Sequence, residues 1–151
     1  MQLGIDFGTT RTVVAYADRG NYPVVGFTDS HGDAHEFLPS LVASADQGLV
    51  YGFAAAQARA AGRPVLRSMK RELASAMAST SSRVHVGHEQ YQLLDVMVGY
   101  LNHVRTQLET SSTIAPLLKS DPIAGVVVAV PAHANSGQRF LTLEAFRQAG
   151  F

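Results

Sequence analysis

Hydrophobic positions fall into short runs over the first third of the chain and into longer helical rhythms after it. The opening Met1-Gln2-Leu3-Gly4-Ile5-Asp6-Phe7 is a short apolar run that stops at Gly8-Thr9-Thr10. A β-rich run follows over residues 11–17, then the turn Asp18-Arg19-Gly20-Asn21, then a third run over residues 22–27. Apolar runs punctuated by Gly, Asp and Asn this closely predict an antiparallel meander. Residues 28–36 are polar around Gly32 and predict an exposed loop. Residues 37–43 predict another extended piece, with Pro39 favouring an edge or a bend over a central strand.

The rhythm then changes. Residues 53–61 are alanine-rich and helix-favouring, and Gly62-Arg63-Pro64 stops them. Residues 66–78 predict a second helix that fades into the Ser/Thr-rich turn at 79–82. Residues 83–91 predict a hairpin around Val86-Gly87-His88-Glu89. Leu93, Met97, Tyr100, Val104 and Leu108 recur at three- and four-residue steps and make one apolar helical stripe. Residues 124–130 are continuously apolar, the pattern of a strand buried on both faces. Residues 136–149 then predict an amphipathic helix, with Asn135 as its N-cap and Gly150 where a capping glycine belongs. A buried strand that feeds a helix normally leads to another strand, and this alternation implies one beyond Phe151. No internal repeat or low-complexity linker interrupts the pattern.

Composition narrows the function. A chain of 151 residues with 46% apolar residues can build one domain with a real core. Twelve basic residues balance twelve acidic ones, so the clustered positive charge that grips nucleic acid is missing. The absence of cysteine excludes disulfides, thiolate zinc sites and thiol nucleophiles. Asp6 interrupts the first apolar run and no basic segment precedes it, which argues against a signal peptide. No apolar run reaches the roughly 20 residues that span a bilayer. The expectation is a soluble, cytoplasmic protein with no nucleic-acid or membrane partner.

Candidate chemistry concentrates in Gly4-Ile5-Asp6-Phe7-Gly8-Thr9-Thr10. A turn between two strands can aim consecutive backbone N–H groups at one point, a nest suited to an anion. Gly8 permits close approach that a Cβ would hinder. Thr9 and Thr10 add hydroxyls, and Asp6 is a hard oxygen ligand suited to Mg²⁺ through ordered water. The same residues could instead form a hairpin whose Asp and Thr satisfy their own turn. No Gly-Lys-Ser/Thr follows, so this is not a Walker A loop, and no helix opens there, so it is not a dinucleotide fingerprint.

Other clusters carry less. Asp29, His31, Asp33, His35 and Glu36 crowd one polar loop, where proximity explains them better than metal binding does. His85 and His88 straddle a turn and suit a surface. No G-x-S-x-G nucleophile elbow is present. The stripe of residues 93–108 reads as core packing, and exposed apolar area on it would favour self-association.

With those residues in hand, the chain resembles the DnaK-type (70-kDa) heat-shock chaperones of the actin-like ATPase superfamily. Residues 4–10 resemble that family's first phosphate motif, and Leu38-Pro39-Ser40 its Thr-Pro-Ser segment. Tyr51-Gly52-Phe53-Ala54-Ala55 is similar to its Val-Gly-x-x-Ala, and Met69-Lys70-Arg71 falls where a Lys-Arg pair lies on a helix. Val128-Ala129-Val130-Pro131-Ala132-His133-Ala134-Asn135, with Gln138-Arg139 and Ala149-Gly150, resembles its Val-Pro-Ala-x-x-Asn-x-x-Gln-Arg strand–turn–helix. These matches keep order and approximate spacing over the whole chain.

The resemblance implies an α/β fold, the first lobe of an actin-like (ribonuclease-H-like) ATPase domain with a mixed sheet and helices. It implies a core subdomain of about residues 1–34 plus 111–151 and a smaller inserted one of about 35–110, the second lobe and the substrate-binding domain lying outside the chain. ATP and Mg²⁺ are the implied cofactors: Asp6 near the metal, Gly8, Thr9 and Thr10 on the phosphates, Lys70 toward the γ-phosphate and attacking water. Pro131 and Arg139 are implied to couple nucleotide state to a second domain. Co-chaperones and unfolded polypeptide are the implied partners through absent domains. The rest of the family's cleft has no counterpart here, so the polypeptide alone is not expected to hydrolyse ATP appreciably. Departures are Arg11, where the family more often has a small polar residue or an aromatic, His133-Ala134 in place of an aromatic pair, and poor matching over residues 74–91. A sugar or carboxylate kinase of the same superfamily shares the Asp-x-Gly-Thr turn but needs an acceptor-binding carboxylate. A bacterial actin-like filament subunit shares the strand–proline–helix.

Overall fold

A computed structural model describes residues 1–74, 78–130 and 132–151. Gln2–Phe7 (β1) and Arg11–Tyr16 (β2) form an antiparallel hairpin in which Asp6 faces Val13 and Phe7 faces Thr12. Period-two alternation sends Leu3, Ile5 and Phe7 inward and leaves Gln2 and Asp6 outside. The run at residues 22–27 does not continue as a regular strand. Val25 N–H donates to Val14 O (2.8 Å) and Tyr16 N–H to Pro23 O (3.2 Å), but Pro23 has no N–H to return. The Gly26 N–H is spent on Thr113 Oγ1. Only Phe27–Thr28 (β3) is strand, paired with Ala34–His35 (β4), so the polar loop is a short ordered hairpin. Asp29 builds it: Oδ1 accepts from the N–H groups of His31 and Asp33, and Oδ2 lies 2.9 Å from His35 Nε2.

Leu38–Pro39 (β5) closes one edge of the main sheet against β2, where Pro39 loses no ladder bond to a further strand. Val42–Ala45 (β6), Gly48–Tyr51 (β7) and, later, Val65–Leu66 (β8) make a separate three-stranded sheet in the order β7-β6-β8. Gly52–Ala60 (α1) follows β7 directly, as the alanine-rich segment predicts. The helix predicted over residues 66–78 is shorter at its start. Pairing with Val42 draws Leu66 into β8, and the helix begins only after Ser68, whose Oγ accepts from Arg71 N–H, to give Met69–Leu73 (α2). The remainder of that predicted helix falls partly on residues 75–77, outside the described residues.

Arg83–Val86 (β9) and Glu89–Gln92 (β10) form the predicted hairpin, with Gly87 at φ +68° in its turn. Leu93–Thr110 (α3) carries the apolar stripe, and all five stripe residues are buried. They therefore offer no surface for self-association. Ala115–Leu118 (α4) leads to Gly125–Ala129 (β11), which pairs parallel with β1, and Ser136–Gln148 (α5) follows. The main sheet runs β11-β1-β2-β5. The inward face of β1 receives both long helices: Phe7 packs against Tyr100 of α3 and edge-on to Phe146 of α5. Each fully buried side chain of this size contributes about 1.5–3 kcal/mol.

One expectation is reversed at β11. Its apolar run predicted burial on both faces, but β11 is an edge strand and Val127 is 72% exposed. In the parallel register Val127 sits beside Gly4, on the outward face that carries Asp6, and no element of the described chain covers it there. Val126 and Val128, on the other face, pack against the core.

Candidate functional site

The β1–β2 turn is built around a glycine that cannot be replaced without movement. Gly8 N–H donates to Arg11 O across 3.1 Å, and a Cβ on Gly8 would stand 2.3 Å from that same oxygen. Ser40 N–H donates to Thr10 O (3.0 Å), which ties the turn to the segment after β5. Thr9 and Thr10 are exposed, and among the described residues no backbone acceptor takes their N–H groups. Asp6 is exposed at the end of β1 and forms no ion pair among the described residues. The turn thus presents open amides and hydroxyls beside an open carboxylate. Asp and Thr do not consume one another here, and the donor set fits a polyphosphate with a hydrated divalent metal.

Beneath the turn lies a buried hydroxyl cluster. Thr12 Oγ1 is 3.0 Å from Ser40 Oγ and accepts from Tyr100 Oη at 2.9 Å. Burial pushes the Tyr100 hydroxyl up to about 12. This cluster escaped the sequence reading, although Thr12 standing between Arg11 and Val13 in an alternating strand marks it as an inward polar residue.

Lys70 is the second residue of α2. It lines a cavity of about 310 Å³ with Leu73, Val130, His133, Gln138 and Thr142, so α2 meets the strand–turn–helix segment there. Asp6, Gly8, Thr9 and Thr10 are not among the residues lining it. Arg139 is exposed on α5 and outside this cavity. Pro131 lies outside the described residues. Asn135 caps α5 in a full capping box: its Oδ1 accepts from Gln138 N–H, and Gln138 Oε1 accepts from Asn135 N–H. In the polar loop, the His35 hydrogen bond holds the Asp29 carboxyl below its ordinary range, and among the described residues no three side chains converge as metal ligands.

His103 of α3 is a second residue that sequence reasoning missed. Its Nε2 is buried without a hydrogen-bond partner, against Gly52 at the start of α1. Burial lowers its pKa.

The family described as Hsp70 protein matches residues 2–151. The chain belongs to the Hsp70 family. Chaperone protein HscA of Cronobacter sakazakii is 33% identical to it over 164 residues, covering 99% of this chain and 26% of that protein. The HscA proteins of Citrobacter koseri and Salmonella agona are 30% and 31% identical over 161 and 163 residues, with the same coverage. The chain therefore spans about a quarter of the length of these curated relatives. Its mixed sheet and packed helices are those of an actin-like lobe of the Hsp70 kind. The sugar-kinase and filament-subunit alternatives are not favoured. Among the described residues no helix is long and apolar enough to cross a membrane.

Proposed function

We propose that the β1–β2 turn is where the Hsp70 protein containing this sequence holds the phosphates of Mg-ATP. The observation that carries it is the closed turn at Gly8, with no room for a Cβ, beside the open amides of Thr9 and Thr10 and the open carboxylate of Asp6. Bound Mg²⁺ would screen phosphate charge. Asp6 would orient it through water, while Gly8, Thr9 and Thr10 hold phosphate oxygens. Lys70 would supply positive charge where negative charge develops during phosphoryl transfer. Pro131, which follows β11 in the sequence, and Arg139, on α5, would relay nucleotide state to other domains.

The same proposal covers the wider protein. It is a cytoplasmic ATPase whose co-chaperones and unfolded polypeptides bind outside these residues. The core subdomain spans about residues 1–34 plus 111–151 and the inserted one about 35–110; the separate β7-β6-β8 sheet supports that division. The 151 residues alone make few contacts with nucleotide, so they bind weakly and turn over little.

Calorimetry and ¹⁵N NMR with Mg-ATP, comparing the parent with Asp6→Ala, test the proposal. The amides of residues 8–10 should shift in the parent, and Asp6→Ala should lose the metal-dependent part of the affinity. A parent whose residues 8–10 stay still while ATP binds elsewhere, or not at all, would end it.

A further inference from the structure

We propose that Arg11 is a phosphate ligand of the β1–β2 turn and gives this chain a hold on polyphosphate that does not need the metal. The inference rests on the phosphate-site reading above and adds to it a residue at the start of β2.

Backbone geometry sets the position. Arg11 directly follows Thr9 and Thr10, and its carbonyl accepts the bond that closes the turn. Alternation along β2 buries Thr12 and Val14 and sends Arg11 and Val13 to the other face. Val13 is the cross-strand partner of Asp6, so Arg11 is the diagonal neighbour of Asp6 on one face, at about 7–8 Å. A guanidinium and a carboxylate so placed could pair. They do not.

Instead the guanidinium lies 5.8 Å from the centroid of the Phe37 ring. Among the described residues it forms no ion pair, with Asp6 or with Glu36, which lines the same surface cavity. The ring restrains the cation without using its N–H groups, so a planar fork of donors stays free on the face of the sheet that carries Asp6. Such a fork matches two phosphate oxygens at once, which a lysine ammonium does not. The ligand class is a polyphosphate, nucleoside-linked or inorganic. Labour divides by charge: Asp6 recruits the cation, and Arg11 takes the phosphates directly.

That division sets the test. ¹⁵N NMR titration with sodium tripolyphosphate, once with Mg²⁺ and once in EDTA, is run on the parent, Arg11→Ala, Arg11→Gln and Asp6→Asn. In EDTA the parent should shift at residues 8–11 and at the Arg11 Nε–H. Arg11→Ala and Arg11→Gln should each weaken that binding about tenfold; Gln keeps polar bulk without charge and guards against a purely structural effect. Asp6→Asn should weaken binding only when Mg²⁺ is present, because without metal it removes a repulsion. Parent-like affinity in both Arg11 variants, with residues 8–10 still shifting, overturns the role of Arg11 and leaves the turn as the site. No shift at residues 8–10 of the parent in either buffer overturns both.

Discussion

Tyr100 donates its phenolic hydrogen to Thr12 Oγ1 across 2.9 Å, a buried bond between residues 88 positions apart. It fastens the middle of α3 to the strand that follows the Gly8 turn. Tyr100→Phe removes the donor and leaves Thr12 paired with Ser40, so the cost should be roughly 1–2 kcal/mol. Urea unfolding reads this directly. An unchanged midpoint would show that the bond holds nothing.

The same residue sets an alkaline limit. Its hydroxyl keeps its proton in the folded chain to about pH 12, whereas the unfolded chain releases it near its ordinary value of 10. The folded state then binds more protons than the unfolded one above pH 10, so stability is complete below 10 and falls as pH rises toward 12. Tyr100→Phe lacks this contribution. The gap between parent and variant should narrow across that window in urea titrations.

Gly8→Ala places a methyl against the Arg11 carbonyl, a backbone atom that cannot swing aside. The turn must open, at roughly 1–3 kcal/mol. Thermal unfolding should show a loss of about 2–4 °C per kcal/mol for a chain of this size. A Tm equal to the parent's would mean the turn is looser than the contact implies.

Asn135→Ala removes the side-chain half of the α5 capping box and leaves the half in which the residue-135 backbone N–H donates to Gln138 Oε1. The expected cost is about 1 kcal/mol, and Asn135→Asp, which keeps the acceptor, should recover most of it. Denaturant midpoints of the two variants decide the matter, since a merely polar surface residue would give no difference between them.

His103 is half-buried with its Nε2 sealed off and unpartnered, and burial lowers its pKa. The unfolded chain takes up the proton first, so stability is full above the ordinary histidine value of about 6.5 and declines as pH falls through it toward the folded pKa. Comparing urea midpoints near pH 7.5 and near pH 5.5 measures the decline, and His103→Gln should flatten it. If the variant keeps the parent's slope, another group is responsible.

Much of this was legible in the chain. The α3 stripe, the β9–β10 hairpin and the Asn135 cap rest on local period and local side-chain bonds, and local rules found them. Failures came where distant partners decided. Leu66 looked helical until Val42 claimed it for a strand. Residues 124–130 look buried on both faces because apolarity records preference for burial, while β11's edge position depends on what else is present to cover it. At the turn, residue types alone left two outcomes open, and only the Gly8 and Ser40 bonds showed which groups were spent and which stayed free.

Because Arg11 points out and Thr12 points in, a slip of one residue between β1 and β2 would exchange them. A guanidinium would then enter the hydroxyl cluster under Tyr100, and threonine would face solvent beside Asp6. Such misalignment carries a buried unpaired charge, so the chain holds a single alignment there for the sake of its interior. The spacing of the outward groups Asp6 and Arg11 is inherited from that constraint: a variant that folds at all keeps these two side chains in step.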